Sequence, residues 1–425
     1  MTTSFSRKVF LSTAALAAAT CLACFTPAAA ESDAVPAAVG SASPPPGARV
    51  TLPAPTGPYP VGTTSLHLTD RSRPDPWVGS QPHRELMVSV RYPARDVAGH
   101  ARAPQMLPGE AAGFDALNNL TDIPKGRVDW AATRTHAYEQ APIAAHGARG
   151  FPVVLYSPGA ADPRSLGTTL CDDLASRGYV VVMIDHTYDA TAVEFPGGRV
   201  EKSVLPQEFA KAAKAGDEQV TALLKKSMSV RVADTRFVLD QLGQLPGQLR
   251  GALDVGAVGM FGQSAGGFTA AQSLHDDRRI KAAADLDGVL GYTQLDDDPA
   301  NPSSVGTDGV DRPLLLMGKE GDDHHTVASW GAAWQHSSGW LRDLTLVGAE
   351  HASYTDMQSE IPQLATELGL SKQTVAANIG TVAAKQSVAA QETYVSAFFD
   401  RWLRGQDRHL LDGPSERFPQ VRFVK

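Results

Sequence analysis

The stretch Val255-Gly256-Ala257-Val258-Gly259-Met260-Phe261-Gly262-Gln263-Ser264-Ala265-Gly266-Gly267 decides the fold. Val255 to Phe261 form a short apolar run, the pattern of a strand buried on both faces. Ser264 follows among glycines, and Ala265 to Leu274 have helical character. A strand that passes into a helix through so tight a turn strains the serine backbone, and bulky neighbours at the flanking glycines would clash. The turn lifts the Ser264 hydroxyl off the sheet and sets it at a helix N-terminus, where backbone dipoles favour negative charge. Gly-x-Ser-x-Gly alone is a weak signal because small residues are common. Its place between a buried strand and a helix predicts a nucleophile.

The same rhythm continues on both sides. Strands are predicted at Leu86–Tyr92 (stopped by Pro93), Phe151–Tyr156, Tyr179–Ile184, Ile280–Leu286, Leu314–Met317 and Leu344–Val347. Helices are predicted at Leu166–Arg177, closed by Gly178, and at Val230–Leu242. Strands alternating with helices predict an α/β fold, a mostly parallel central sheet flanked by helices on both faces. Two stretches interrupt the pattern, residues 98–145 and 188–228, the second with a helical Lys- and Ala-rich run from Glu208 to Lys226. They read either as surface decoration or as cap segments over the strand ends.

The chain has 425 residues, 43% hydrophobic and 20% charged, enough for one large domain or two ordinary ones. Its formal charge of −8 argues against a nucleic-acid partner. Residues 1–30 have the form of a secretory leader: Arg7 and Lys8, an apolar run from Val9 to Phe25, then Ala28-x-Ala30, which places the expected cut after Ala30. That run is short for a membrane span, and no later stretch reaches about 18 uninterrupted apolar residues. Anchoring as a lipoprotein through Cys21 or Cys24 is disfavoured by the residues before each cysteine. The expectation is a secreted, soluble protein of charge −10 whose one cysteine, Cys171, packs as a small apolar side chain and leaves no internal disulfide. Residues 31–60, rich in Ala, Pro and Ser, read as a disordered tether, with the folded domain over 61–425.

A serine at its ordinary pKa is a poor nucleophile, so a base is needed and the base must be oriented. His351, just past the last good strand, falls at the sheet edge where Ser264 emerges. Two acids follow strands at that same edge, Asp287 in Asp285-Leu286-Asp287-Gly288 and Asp322 in Gly318-Lys319-Glu320-Gly321-Asp322-Asp323. Both obey the order serine, acid, histidine, and position alone leaves them open. The backbone N–H groups of Ala160, in the turn after the first central strand, and of Ala265 are the predicted oxyanion donors; Pro158 has no amide hydrogen. His324-His325 lie beside Asp322-Asp323, but no metal-binding spacing supports them, so neither a metal nor a cofactor is expected. His186 reads as a hydrogen-bonded structural residue. Trp330, Trp334 and Trp340 read as core, or in part as the wall of an acyl pocket.

Several segments together carry a resemblance. Leu155-Tyr156-Ser157-Pro158-Gly159, Leu174-Ala175-Ser176-Arg177-Gly178-Tyr179 running to Asp185-His186, Gly262-Gln263-Ser264-Ala265-Gly266-Gly267, Asp285-Leu286-Asp287-Gly288 and Gly348-Ala349-Glu350-His351 span about residues 85–400. In these the chain resembles the secreted platelet-activating-factor acetylhydrolase family, in its actinobacterial lipase/esterase branch, within the α/β-hydrolase superfamily. The family's acid follows a Leu-Asp motif after the nucleophile helix, so the resemblance selects Asp287. Gln263 and Ala265 depart from the family's usual His and bulkier apolar residue, and Pro158 stands where a His often precedes the oxyanion glycine. The resemblance implies a secreted serine esterase or lipase that hydrolyses a small-molecule or lipid ester, with transient contact to a lipid surface. The alternatives are a cutinase-like polyester hydrolase and a catalytically silent binding protein on the same fold. Acyl length, head group and oligomeric state are not readable from spacing.

Overall fold

The computed structural model describes residues 47–425. In chain order the first strands and helix are β1 (Val61–Asp70), β2 (Arg84–Pro93), β3 (Arg102–Pro104), α1 (Pro108–Leu117) and β4 (Arg134–Glu139). Then come β5 (Phe151–Ser157), α2 (Thr168–Ser176), β6 (Val180–Asp185), a hairpin of β7 (Ala192–Glu194) and β8 (Val200–Lys202), α3 (Leu205–Ala215) and α4 (Asp217–Gln241). The second half holds β9 (Leu253–Gln263), α5 (Ala265–Asp276), β10 (Ile280–Leu286), α6 (Ser304–Asp308), β11 (Leu314–Gly318), α7 (Ala328–His336) and β12 (Leu341–Leu346). The chain closes with α8 (Met357–Leu368), α9 (Lys372–Ile379), α10 (Ala384–Arg404) and β13 (Val421–Phe423).

Eleven strands form one sheet in the order β13-β12-β11-β10-β9-β5-β6-β2-β1-β4-β3. The six strands from β12 to β6 are mutually parallel, and β2 and β13 border them antiparallel. The parallel strands are buried on both faces because helices cover both. Helices α4, α5, α6 and α7 close one core with residues such as Val232, Phe268, Val305 and Trp330. On the other face α2 and α10 close a second core through Leu174, Tyr394 and Phe398. From β5 the chain winds outward through β6; from β9 it winds the other way through β10, β11 and β12. The carboxyl ends of β5 and β9 therefore flank a topological switch point, where open α/β sheets place their ligands.

The sequence-based domain boundaries need correction. Residues 1–46, which include the expected leader and most of the expected tether, lie outside the described residues. Residues 47–60, assigned above to the tether, are instead packed on the domain. Val50 is buried in a third core with Trp130, Met357 and Ile361, Leu52 is buried close by in sequence, and the Thr51 amide donates to Gln363 Oε1 at 3.0 Å. These few apolar side chains were hidden in a polar, Pro-rich context. The segment 98–145 lengthens the sheet: β4 pairs with β1, and β3 with β4. The strands β4 and β3 stand five and six places from β9, about 24–29 Å at the usual strand spacing, too far for the strands themselves to cover Ser264. Helix α1, between them in the chain, instead packs by β7 and sets Glu110 on Arg164, past the turn after β5. Segment 188–228 forms the β7–β8 hairpin, α3 and the start of α4, and its first residues reach the switch point. The helical run over 208–226 is two helices, broken at Gly216 with φ +111°.

Candidate active site

Ser264 occupies the junction of β9 and α5 with φ 56° and ψ −127°, a conformation costly for any residue with a Cβ. Its N–H is held by Leu286 O at 2.9 Å and its carbonyl by the Phe268 amide at 3.1 Å. The turn closes because its neighbours lack side chains. A Cβ on Gly266 would fall 1.9 Å from Ser157 O, and one on Gly262 2.3 Å from the Gly266 carbonyl carbon. The backbones of β5, β9 and α5 thus meet at van der Waals contact, with Ser264 half-buried above them.

Asp287 leaves the end of β10 with φ 62°. Its Oδ1 accepts the Lys319 amide at 2.8 Å, and its Oδ2 accepts His351 Nδ1 at 2.5 Å. Burial alone would raise the Asp287 pKa, but the hydrogen bond and charge of His351, with Lys319 beside them, hold it below the usual carboxylate value. The ionised carboxylate fixes the Nδ1–H tautomer of His351, so Nε2 is left as the free base. Burial would depress the imidazole pKa, yet the Asp287 bond and charge reverse this and raise it. The His351 side chain remains 41% exposed, so solvent and substrate reach it.

Asp322, the competing acid, is ion-paired with the Lys319 ammonium and makes no hydrogen bond to His351. Burial and the Asp287 charge push its pKa up to about 6.

The turn after β5 lies against the first turn of α5. Among the described residues, neither the Ala160 nor the Ala265 amide has a protein acceptor, so two N–H groups are free beside Ser264. Asp162 lies on the same turn, where burial pushes its pKa to about 6.

Residues 47–246 match the family model of platelet-activating factor acetylhydrolase, isoform II. A probable 1-alkyl-2-acetylglycerophosphocholine esterase of Arthroderma benhamiae is 28% identical over 392 residues, covering 88% of this chain and 93% of that protein. A Bos taurus platelet-activating factor acetylhydrolase is 21% identical over 62% of each chain. Among solved structures, a ferulic acid esterase from Streptomyces cinnamoneus aligns with a TM-score of 0.71 and 36% identity, over 88% of this chain and 99% of that one. The chain belongs to the platelet-activating factor acetylhydrolase family. Its fold is accordingly that of the α/β-hydrolases, as the sequence predicted.

Several residues that support the site in this acetylhydrolase-family protein escaped the sequence reading. Asp285 is fully buried and accepts the Gly288 amide at 2.9 Å; burial and the nearby Asp287 charge push its pKa well above the carboxylate range. Trp330 donates Nε1–H to Gly288 O at 2.6 Å, so this tryptophan is core and also pins the turn that carries Asp287. Gln263 Nε2 donates to His351 O at 3.4 Å, tying the nucleophile turn to the histidine turn. The alternation Asp285-x-Asp287 was the one local signal for any of these. His186 is buried and bonded at both nitrogens, to Ser157 Oγ and Asp234 Oδ2, each at 2.9 Å, the structural role expected of it. His324 is engaged by Asp343 Oδ2 at 2.7 Å and stacks on Trp334; Trp340 packs against the second core. Cys171 is fully buried in that core.

Proposed function

We propose that this carboxylic-ester hydrolase is a secreted serine esterase that works through an acyl-enzyme on Ser264, with no cofactor. Family membership establishes ester hydrolysis; the hydrogen bond from His351 Nδ1 to Asp287 Oδ2 at 2.5 Å, at the sheet edge where Ser264 emerges, carries the mechanistic reading. Ser264 Oγ attacks the ester carbonyl while His351 Nε2 takes its proton. Asp287 stabilises the imidazolium so formed. The N–H groups of Ala160 and Ala265 receive the oxyanion, each such donor contributing roughly 10²–10³ in rate. His351 then protonates the leaving alcohol, and a water, deprotonated by the same nitrogen, releases the acid and restores Ser264.

Ser264→Ala is expected to lower turnover by roughly 10⁴–10⁶-fold with the fold intact. A fluorophosphonate probe should label the wild type at Ser264 and leave the variant unlabelled. Turnover near that of the wild type in the variant would remove Ser264 from its role, and an unlabelled wild type would favour a silent binding protein.

For the substrate, a small ester with a short or aromatic acyl group is the better reading. The Streptomyces ferulic acid esterase matches more closely, at 36% identity, than the fungal phosphocholine esterase at 28%. Rates on methyl ferulate, an acetylglycerophosphocholine, short and long p-nitrophenyl esters and a polyester film separate the classes. A polyester preference would move the assignment to a cutinase-like enzyme.

A further inference from the structure

A turn peptide that serves as an oxyanion donor must be held, or its N–H rotates to solvent. The turn after β5 is gripped from an unexpected direction. Arg231, fully buried in the middle of α4, donates Nη1–H to Pro158 O at 2.7 Å and Nη2–H to Gly159 O at 2.9 Å. Its other edge is fixed by Asp189, from the segment before β7: Nε reaches Oδ2 at 2.8 Å and Nη2 reaches Oδ1 at 2.6 Å. Asp189 Oδ1 also accepts the Ala161 amide at 3.0 Å, and Ala161 O accepts the Thr191 amide at 3.1 Å. Ala161 is thereby held at φ 63°. Burial would raise the Asp189 pKa, but the Arg231 charge and hydrogen bond lower it, so this acceptor stays ionised.

The consequence follows from peptide geometry. Every peptide bond among the described residues is trans, and in a planar trans peptide the C=O and N–H point in opposite directions. The carbonyl of the Gly159–Ala160 peptide is held on Arg231, beneath the turn. Its N–H, that of Ala160, must therefore point away from α4, and among the described residues it finds no protein acceptor, as is also true of the Gly159 N–H before it. A guanidinium on the carbonyl also polarises the peptide and strengthens its N–H as a donor. Two neighbouring carbonyls and a carboxylate are met by one planar fork, a geometry open to arginine and closed to lysine.

We propose that Arg231 is a positioning residue for the oxyanion hole, its guanidinium oriented by Asp189 and fixing the Gly159–Ala160 peptide so that the Ala160 N–H faces the developing oxyanion. This rests on the reading that Ser264 attacks an ester and that Ala160 is a donor. A buried arginine could instead serve only the fold, and the test separates the two.

Active sites of Arg231→Gln, Arg231→Lys and wild type are counted by titrating one aliquot of each with a fluorophosphonate, and untreated aliquots are assayed per active site on an ester and its matched thionoester. Sulfur accepts hydrogen bonds poorly, so the ester/thionoester rate ratio reports the oxyanion hole itself. In Arg231→Gln, kcat on the ester is expected to fall about 10²-fold, with KM within about threefold of wild type and a markedly smaller rate ratio. Arg231→Lys should lie between the two. A purely structural role lowers the titratable fraction, or both rates by one factor; an unchanged ratio therefore overturns the proposal. Should Arg231→Gln not fold, Arg231→Lys and Asp189→Asn carry the same readout, and failure of all three to fold would also overturn it. Failure of the underlying reading looks different, as a wild type unlabelled at Ser264.

Discussion

The sequence offers His351 two carboxylates that the chain order cannot rank, and its hydrogen bond ranks them. Asp287 touches the imidazole at 2.5 Å, while Asp322 is spent on Lys319. Asp287→Asn should lower kcat by about 10⁴-fold, since an amide in place of the carboxylate neither stabilises the imidazolium nor enforces the tautomer. The pH dependence supplies the second half of this prediction. Only neutral His351 accepts the serine proton, so kcat/KM rises with pH through its ionisation. Burial works to lower that pKa, but Asp287 holds it above the ordinary 6.5, and the limb should lie above that value in the wild type. Removing the Asp287 charge should move the limb to lower pH. Asp322→Asn, measured in parallel, should leave the limb in place and the rate far less affected; the reverse ranking would give the acid role to Asp322. None of this ranking was legible from local sequence, because Asp287 and Asp322 each follow a strand at the same edge, and only the Leu-Asp resemblance favoured one.

At the scale of elements, the buried parallel strands were the most readable. β10 begins and ends at the predicted residues, Ile280 and Leu286, because a strand covered on both faces is written as one apolar run. β9 extends two residues beyond the predicted run at either end, and β12 begins three residues earlier than predicted, where polar residues continue the ladder. β3 and β13 have three residues each and owe their strand state to the neighbour they pair with, so no periodicity announces them. The nucleophile turn is where element and chemistry coincide. Its requirement for glycine is steric: Gly266 faces the Ser157 carbonyl, a backbone atom that cannot swing aside. Gly266→Ala is accordingly expected to cost about 3 kcal/mol of stability by urea unfolding, within the range for overpacking, and to abolish fluorophosphonate labelling. Wild-type stability and labelling in that variant would contradict the close packing of β5 against α5.

The described residues form three large cores and a small fourth one around Met87 and Phe195, and the third contains part of the N-terminal segment that composition alone consigned to a tether. Val50 packs in one core with Trp130, Met357 and Ile361, beneath the C-terminal helices that follow His351, and Leu52 is buried as well. A chain beginning at Gly47 should therefore be more stable in urea than one beginning at Val61, by about 3–5 kcal/mol for two buried aliphatic side chains. Equal midpoints would return these residues to the tether. Protein recovered from culture medium should begin at Glu31, and a medium free of the protein would count against secretion.

By itself the sequence determined the alternation of buried strands and amphipathic helices, the glycine-bound turn at Ser264 and the presence of a histidine at the right edge. Each of those is written in neighbours along the chain, where burial on two faces and steric room leave a local pattern. The tertiary structure alone decided that Asp287 holds His351, that Arg231 of α4 grips the turn after β5, and that residues 47–60 belong to the domain. Those contacts join residues 64, 72 and up to 312 positions apart. Their partners are chosen by how the sheet is wound, and no local pattern of hydrophobicity encodes that choice.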